Sequence, residues 1–442
     1  MATDFGRQSL SIAKRDFFLL VTNVATGAVI ARSLGPTGAG VWAIFQLILS
    51  YAEALGRLKT DQASVYFVGQ RRYDLETVIS VLNVIAIVSS AVLIIAGLIW
   101  FDNLYALLFK NAPDVRALVW LLLLQIPLQF LYLNYAYLHI ARSDIRTYNR
   151  MVVVRAVVYS ITSVVLLVVL RAEILGVVLA AILGVLCGLV YGAVRLHREA
   201  RLLFRWEWPL FKDLVGYGGH LYAAGAVAQL NNQLTGFLTA LYLVPAHIAF
   251  FSIAAARRDV VNIVPNAVGV VLYPRLSGIR DAGDAANFTA RTVRTLVPVM
   301  IATGLAAGLL AEPAVVLLYG QQFLPVVEPF LLLLPGIVIA GAVSPFNQYF
   351  MGIGRPGLVT ATAIPAVVAQ LFLGLWLVPV YGIAGAALAM LGSLVLGAVV
   401  SVVAFLRISR LTFRDIVVTR RDDAATLWNL LRREASRYRE PA

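Results

Sequence analysis

Apolar positions in this chain fall in long, uninterrupted runs. Twelve stretches, most of them near the ~20 residues a helix needs to cross the hydrocarbon of a bilayer, follow one another along its length. They are 17–34, 41–55, 78–101, 115–140, 151–170 and 174–196, then 214–243, 248–273, 293–310, 329–350, 358–378 and 383–406. Between them lie short polar connections and no polar stretch long enough to build a soluble domain. The pattern predicts an all-α integral membrane protein. Residues 1–15 precede a run that leads directly into further spans and lack a cleavage-site pattern, so they do not read as a signal peptide.

Composition agrees. The 442 residues are 60% hydrophobic and 13% charged, whereas soluble domains run near ~45–50% apolar and ~25% charged. That excludes a cytosolic enzyme, a secreted disulfide scaffold and a disordered regulator. Cys187 is the single cysteine and cannot form an internal bridge.

The formal charge of +13 would suggest a nucleic-acid partner in a soluble protein; in a membrane protein its placement matters first. With the N-terminus inside, 29 of the 36 Lys and Arg fall in inner segments and only four, Arg32, Lys110, Arg116 and Arg171, in outer ones. Positive charge concentrates on the cytoplasmic side of membrane proteins, so the chain is oriented with both termini inside and an even number of spans. The charge excess is mainly a topology signal, and no nucleic-acid partner is needed to explain it.

A repeat sets the architecture. Asn23 and Asn232, Thr26 and Thr235, Ala31 and Ala240, Pro36 and Pro245, Gly176 and Gly385, and Leu179 and Leu388 are all 209 residues apart. One gap-free register over so long a stretch predicts two copies of a six-helix unit, entering the membrane in the same orientation, as in transporters built from parallel repeats with the substrate path between the halves. The expected organisation is an N-terminal six-helix lobe (1–196), a basic cytoplasmic linker (197–213) carrying Trp206, Trp208 and Pro209, a C-terminal six-helix lobe (214–408) and a basic cytoplasmic tail (409–442). The two pseudo-symmetric lobes would enclose a central cavity. Within the tail, 423–438 reads either as a basic helix lying on the inner leaflet or as plain topological reinforcement.

The segment from Ala31 to Trp42 (ARSLGPTGAGVW) and that from Gly56 to Tyr66 (GRLKTDQASVY) carry a resemblance, with Tyr273-Pro-Arg-Leu-Ser277 and Met351-Gly-Ile-Gly-Arg-Pro356 adding to it. By their order and placement the chain resembles the multidrug/oligosaccharidyl-lipid/polysaccharide exporter superfamily, in its polysaccharide-synthesis branch of lipid-linked oligosaccharide flippases. The resemblance covers the whole membrane portion. It implies a bacterial inner-membrane protein that moves an undecaprenyl-pyrophosphate-linked glycan from the cytoplasmic to the periplasmic leaflet, alongside a polysaccharide polymerase and glycosyltransferases of the same pathway. Lipid II flippase relatives usually carry fourteen spans, and no extra pair is present here, which weakens a peptidoglycan reading.

Ionisable groups within spans cost at least ~2.5–3.5 kcal/mol on insertion scales and usually face the protein interior or water. Arg257, Arg258 and Asp259 fall in the eighth run. One arginine there could meet a pyrophosphate, because its fork of donors matches phosphate oxygens and stays charged; alternatively the arginines lock helices by pairing with Asp259. The repeat places Ile48 and Leu49 at the positions equivalent to Arg257 and Arg258, so the charge is not a demand of both lobes. Arg155 either lines the lumen or snorkels to the headgroups from about a turn inside.

Uncharged stripes are the next candidates. Asn23, Thr26, Asn232 and Thr235 recur in both halves and read as helix-packing groups. Gln46 and Glu53 of the second run, and Gln229 and Asn231 of the seventh, have no identical counterpart and read as cavity candidates that either bond sugar hydroxyls or glue helices. Lys59 and Asp61 read as a cytoplasmic gate or a plain surface pair. The four histidines lack ligand spacing, no phosphate-cradling P-loop is present, and no glycosyltransferase Asp-x-Asp pair appears, so neither cofactor nor metal is expected. Three rivals remain: a cation-coupled multidrug exporter of the same superfamily, for which Asp16, Glu53 and Asp259 would matter; a membrane enzyme acting on lipid-linked glycans, disfavoured by short outer loops at 102–114 and 311–328; and a purely structural partner of a glycan export complex.

Overall fold

A computed structural model describes residues 2–109, 112–198, 200, 205–279 and 281–417, with side chains for all of these except 2–14, 220, 221 and 223–232. The candidate side chains of Gln229 and Asn231, and the tail from 418 onward, lie outside the described residues. Among those described there is no strand, and each of the twelve apolar runs falls on helix.

The long helices are α1 (Ala2–Gly56), α3 (Leu75–Ile99), α5 (Arg116–Ala141), α6 (Ile145–Val164, ending in a π turn Val165–Val169), α7 (Glu173–His197), α8 (Trp208–Tyr242), α11 (Ala282–Leu309) and α15 (Gly357–Ser409). Shorter ones are α2 (Thr60–Gly69), α4 (Phe101–Leu108), α9 (Pro245–Val261), α10 (Ile263–Gly278), α12 (Ala311–Tyr319), α13 (Val327–Val343), α14 (Pro345–Gly352) and α16 (Phe413–Val417). Among the described residues, eight helical stretches are long and apolar enough to cross a membrane, or nine when α9 and α10, bent by 46° at Asn262, count as one span. The chain is a multi-pass membrane protein.

Two of these helices are longer than any bilayer. At ~1.5 Å per residue, α1 and α15 would each reach ~80 Å against a hydrocarbon core of ~30 Å. Each is broken where the sequence separates two runs. In α1 the break is Gly35, with φ 67°, and Pro36 follows as the first residue of the next helix, where its missing N–H costs nothing. In α15 the break is Gly382, with φ 58°.

The repeat is visible in local geometry. Gly382 minus 209 is Glu173, whose φ is also left-handed at 48°, so both hairpins turn at one register position. Three residues later, a Cβ on Gly385 would stand 2.0 Å from the Leu377 carbonyl oxygen, and one on Gly176 3.1 Å from the Leu166 Cβ. Absence of a side chain lets the returning helix close on its partner. Thr26 donates to Ser160 Oγ at 2.7 Å, and Thr235, one repeat on, receives the Gln370 amide. The helix-packing expectation for Thr26 and Thr235 fits these contacts.

The chain packs as two compact units. One comprises Met1–Gln229, Ala240–Phe250 and Val316–Phe323; the other comprises Leu230–Thr239, Phe251–Val315 and Leu324–Ala442. In the first, Val78, Ile79 and Leu82 of α3 bury against Leu138, Met151, Leu196 and Leu214. Gly40 meets the 245 segment so closely that a Cβ there would sit 1.7 Å from the Pro245 carbonyl oxygen. In the second unit, Phe346 stacks on Phe405 at 4.3 Å, Ile416 is buried beside them, and Arg294 donates to the Asp415 carbonyl of α16. Helix α8 starts at Trp208, with Pro209 in its first turn, so the last residues of the expected linker are already helical. The outer connections expected as loops hold short helices, α4 and α12, and a 3-10 segment at Gln321–Val326.

Candidate functional site

A cavity of ≈ 340 Å³ opens inside the first unit, lined by α1, α5, α6 and α7. Helical spacing brings its polar groups together. The second half of α1 offers Gln46, Ser50 and Glu53 at i, i+4 and i+7; α5 offers Gln125, Gln129 and Tyr132 at the same spacing; α6 offers Arg155 and Tyr159 at i and i+4; and the first half of α1 adds Asn23. The opposite faces of these helices are apolar, so the amides point inward by exclusion from lipid.

The Gln129 amide donates to Glu53 Oε1 at 2.7 Å. The other Glu53 oxygen is 4.0 Å from Arg57, whose guanidinium also reaches Asp61 Oδ2 at 3.1 Å. Arg155 lies over the Tyr132 ring, 4.9 Å from its centroid. Nearby on α1, Arg15 bonds Asp16 at 2.7 Å and Asn149 at 2.5 Å. The Gln125 and Gln129 side chains are buried, 3% and 5% exposed, and among the described residues their carbonyl oxygens have no hydrogen-bond partner. Such atoms cost ~1–3 kcal/mol if left unmade, so the cavity is a place that wants donors.

Of the residues singled out in the sequence, Gln46, Glu53 and Arg155 share this cavity. Arg155 faces it and stacks on an aromatic ring. Asn23, expected to pack between helices, is exposed on the cavity wall instead. It stands three residues, about a sixth of a turn short of a full turn, from the buried Thr26, yet the two do not share an environment.

Arg257 and Arg258 are half-buried near the end of α9, in the second unit, and Asp259 is exposed. Arg257 donates to the Ile253 carbonyl one turn back at 2.9 Å and lies 6.0 Å from the Phe330 ring centroid. They stand just before the bend at Asn262.

Lys59 and Asp61 do not form a surface pair. Asp61 is fully buried and its ion pair is with Arg57, because Leu58 and Lys59 take left-handed φ of 47° and 58° and turn the chain so that Asp61 comes back under the arginine. Burial raises the Asp61 carboxyl above its ordinary value of 3.8, against the opposing pull of Arg57.

Five polar cavity residues escaped sequence reasoning: Ser50, Gln125, Gln129, Tyr132 and Tyr159. The signal was present, since two glutamines and a tyrosine at i, i+4 and i+7 within the run 115–140 are a polar stripe on an otherwise apolar helix.

Among the described residues the chain is all-helical and multi-pass, with a polar cavity inside its first unit. Residues 29–328 match the family described as polysaccharide biosynthesis protein, and the chain belongs to that family. No curated protein matches it. Solved structures share the fold. The lipid II flippase MurJ in an inward closed conformation aligns over 90% of this chain and 89% of its own at 14% identity and a TM-score of 0.71. A multidrug resistance transporter of the MATE family and MOP superfamily, facing inward, aligns over 89% and 95% at 17% identity and 0.69. The Vibrio cholerae MATE transporter VcmN in its bent form aligns over 92% and 98% at 14% and 0.55.

Proposed function

We propose that this protein is a flippase that carries an undecaprenyl-pyrophosphate-linked oligosaccharide from the cytoplasmic to the periplasmic leaflet by alternating access, supplying a surface polysaccharide. The observation that carries the reading is the family membership over 29–328 on a transporter fold. Polar groups inside the membrane fit the task. Arg257 and Arg258, half-buried within the span built from α9 and α10, offer charged donors to the pyrophosphate, and the polyprenyl tail stays in lipid. The protein works in the inner membrane with both termini cytoplasmic, beside the glycosyltransferases and polymerase of its pathway. It moves its substrate and makes no covalent change to it. The gate candidates take a narrower role here: Asp61 braces the turn after α1 through Arg57, and Lys59 lies within that turn.

The test uses proteoliposomes holding the full chain and a fluorescent undecaprenyl-pyrophosphate glycan, with leaflet position read by a membrane-impermeant quencher. Transfer between leaflets is expected for the wild type. If Arg257→Ala and Arg258→Ala, both well expressed, move the glycan at the wild-type rate, the cationic mechanism is wrong.

A second reading has one observation in its favour. A carboxylate, Glu53, opens on the cavity of the first unit, as a cation-coupled multidrug exporter would require. That reading predicts drug efflux from cells expressing the chain and no effect on glycan position.

A further inference from the structure

The cavity of the first unit has a definite chemistry. Its lining includes acceptors: the carbonyl oxygens of Gln125 and Gln129, both on buried side chains and without a partner among the described residues, and Glu53, one of whose oxygens Gln129 holds while the other lies 4.0 Å from Arg57. Exposed Gln46 and Asn23 add amides that both donate and accept. Arg155 adds donors alone.

The charges balance. Glu53 and Arg155 both line it, and the adjoining groups, Arg15 with Asp16 and Arg57 with Asp61, pair off. A free cation would meet Arg155, and a free anion would meet Glu53, so neither gains a net field. At ≈ 340 Å³ the space lies at the lower end of the ~300–1,000 Å³ that small-molecule sites occupy. It is polar on several sides, which an apolar drug or acyl chain would not satisfy.

We propose that this cavity is a subsite for an uncharged sugar ring, whose hydroxyls donate to the Gln125 and Gln129 carbonyl oxygens and to Glu53 and accept from Arg155. The proposal rests on the flippase reading and sharpens it: the first unit reads a neutral sugar of the lipid-linked glycan, separately from the arginines of the second unit. A hydroxyl donates and accepts through a single atom, and a ring carries several at fixed angles, which suits a wall that mixes carbonyl and carboxylate acceptors with a guanidinium donor.

Binding is measured first, apart from transport. The full chain in lipid nanodiscs is presented with methyl α-glucoside, methyl α-galactoside and methyl α-mannoside, then with methyl glucuronide as anion and glucosamine as cation, by saturation-transfer NMR. At least one neutral glycoside is expected to receive saturation more strongly than either charged sugar. Gln129→Leu and Gln125→Leu are expected to weaken it about fivefold, which at 1.4 kcal/mol per tenfold is the ~1 kcal/mol of one hydrogen bond. Gln46→Ala, an exposed position whose change threatens no packing, is expected to weaken it in the same sense. The proposal is overturned if no neutral glycoside binds, if a charged sugar binds better, or if all three variants bind as the wild type does. Proteoliposome transport separates this from the flippase reading. Wild-type transport with unchanged rates in the glutamine variants sinks the subsite alone, whereas absent wild-type transport sinks the flippase reading, and the nanodisc result then decides the subsite by itself.

Discussion

Replacing Arg57 by Met strips the buried Asp61 carboxylate of its counter-charge. Asp61 is 0% exposed and the guanidinium stands 3.1 Å away, itself 10% exposed. Removing one partner of a buried pair costs ~3–5 kcal/mol, whereas replacing both is often neutral. Because Arg57 keeps some water contact, the low end, ~3 kcal/mol, is expected here. At ~2–4 °C per kcal/mol for a domain of ~150–250 residues, the melting temperature drops by ~6–12 °C. The pH dependence follows from the direction of the Asp61 shift. Burial places the folded carboxyl above 3.8, so the folded protein holds that proton to a higher pH than the unfolded chain. Stability from this group is therefore greatest below 3.8 and falls as pH rises to the folded value. Without Arg57 the lowering influence is gone, the folded value rises further and the window widens upward. Intrinsic-fluorescence melting of Arg57→Met in detergent should thus show a deficit that narrows as pH is lowered from ~8 to ~5. The double variant Arg57→Met, Asp61→Asn should melt well above the single one. A deficit that is the same at both pH values, or a double variant as unstable as the single, would refute the buried-charge account.

Three further outcomes are expected. Gly40→Val should abolish monodisperse folded protein on size-exclusion chromatography, because its Cβ lands on the Pro245 carbonyl and backbone must move; Gly27→Ala, with nothing within 4 Å of the new methyl, should instead raise stability by up to ~1 kcal/mol. Thr26→Val and Thr235→Val should each cost only ~0.6 kcal/mol, the mean for interhelical hydrogen bonds in membranes, and leave transport rates unchanged. Lys59→Gly should hold or raise the melting temperature, since Lys59 sits at φ 58°, where a side chain costs ~1–2 kcal/mol; a clear drop would mean its side chain is needed in place.

The spans were legible because the hydrocarbon core imposes a length and a polarity that run composition records directly. The breaks at Gly35 and Gly382 were legible for the same reason, each being the gap between two runs. Side-chain placement was harder to read. Asn23 and Thr26 are three residues apart, yet one opens on the cavity and the other is buried against Ser160, a distinction that depends on helix rotation. Asp61 looked like a surface residue because it lies in a charged connection; only the left-handed turn at Leu58 and Lys59 brings it inside. Gln125 and Gln129 carry no charge and sit in an otherwise apolar run, so the sequence does not distinguish a helix-packing amide from one on a cavity wall.

The turn at Gly382 has a consequence for biogenesis. No charged side chain occurs between Arg355 and Arg407, so the two arms of α15 and the turn joining them can pass into the bilayer as one preformed hairpin without carrying an ion across. The equivalent hairpin of α6 and α7 must carry Arg171 and Glu173 at its tip, and Arg155 in its first arm, through the same barrier. Its insertion therefore carries a desolvation cost that the α15 hairpin is spared, and the nascent chain meets it first.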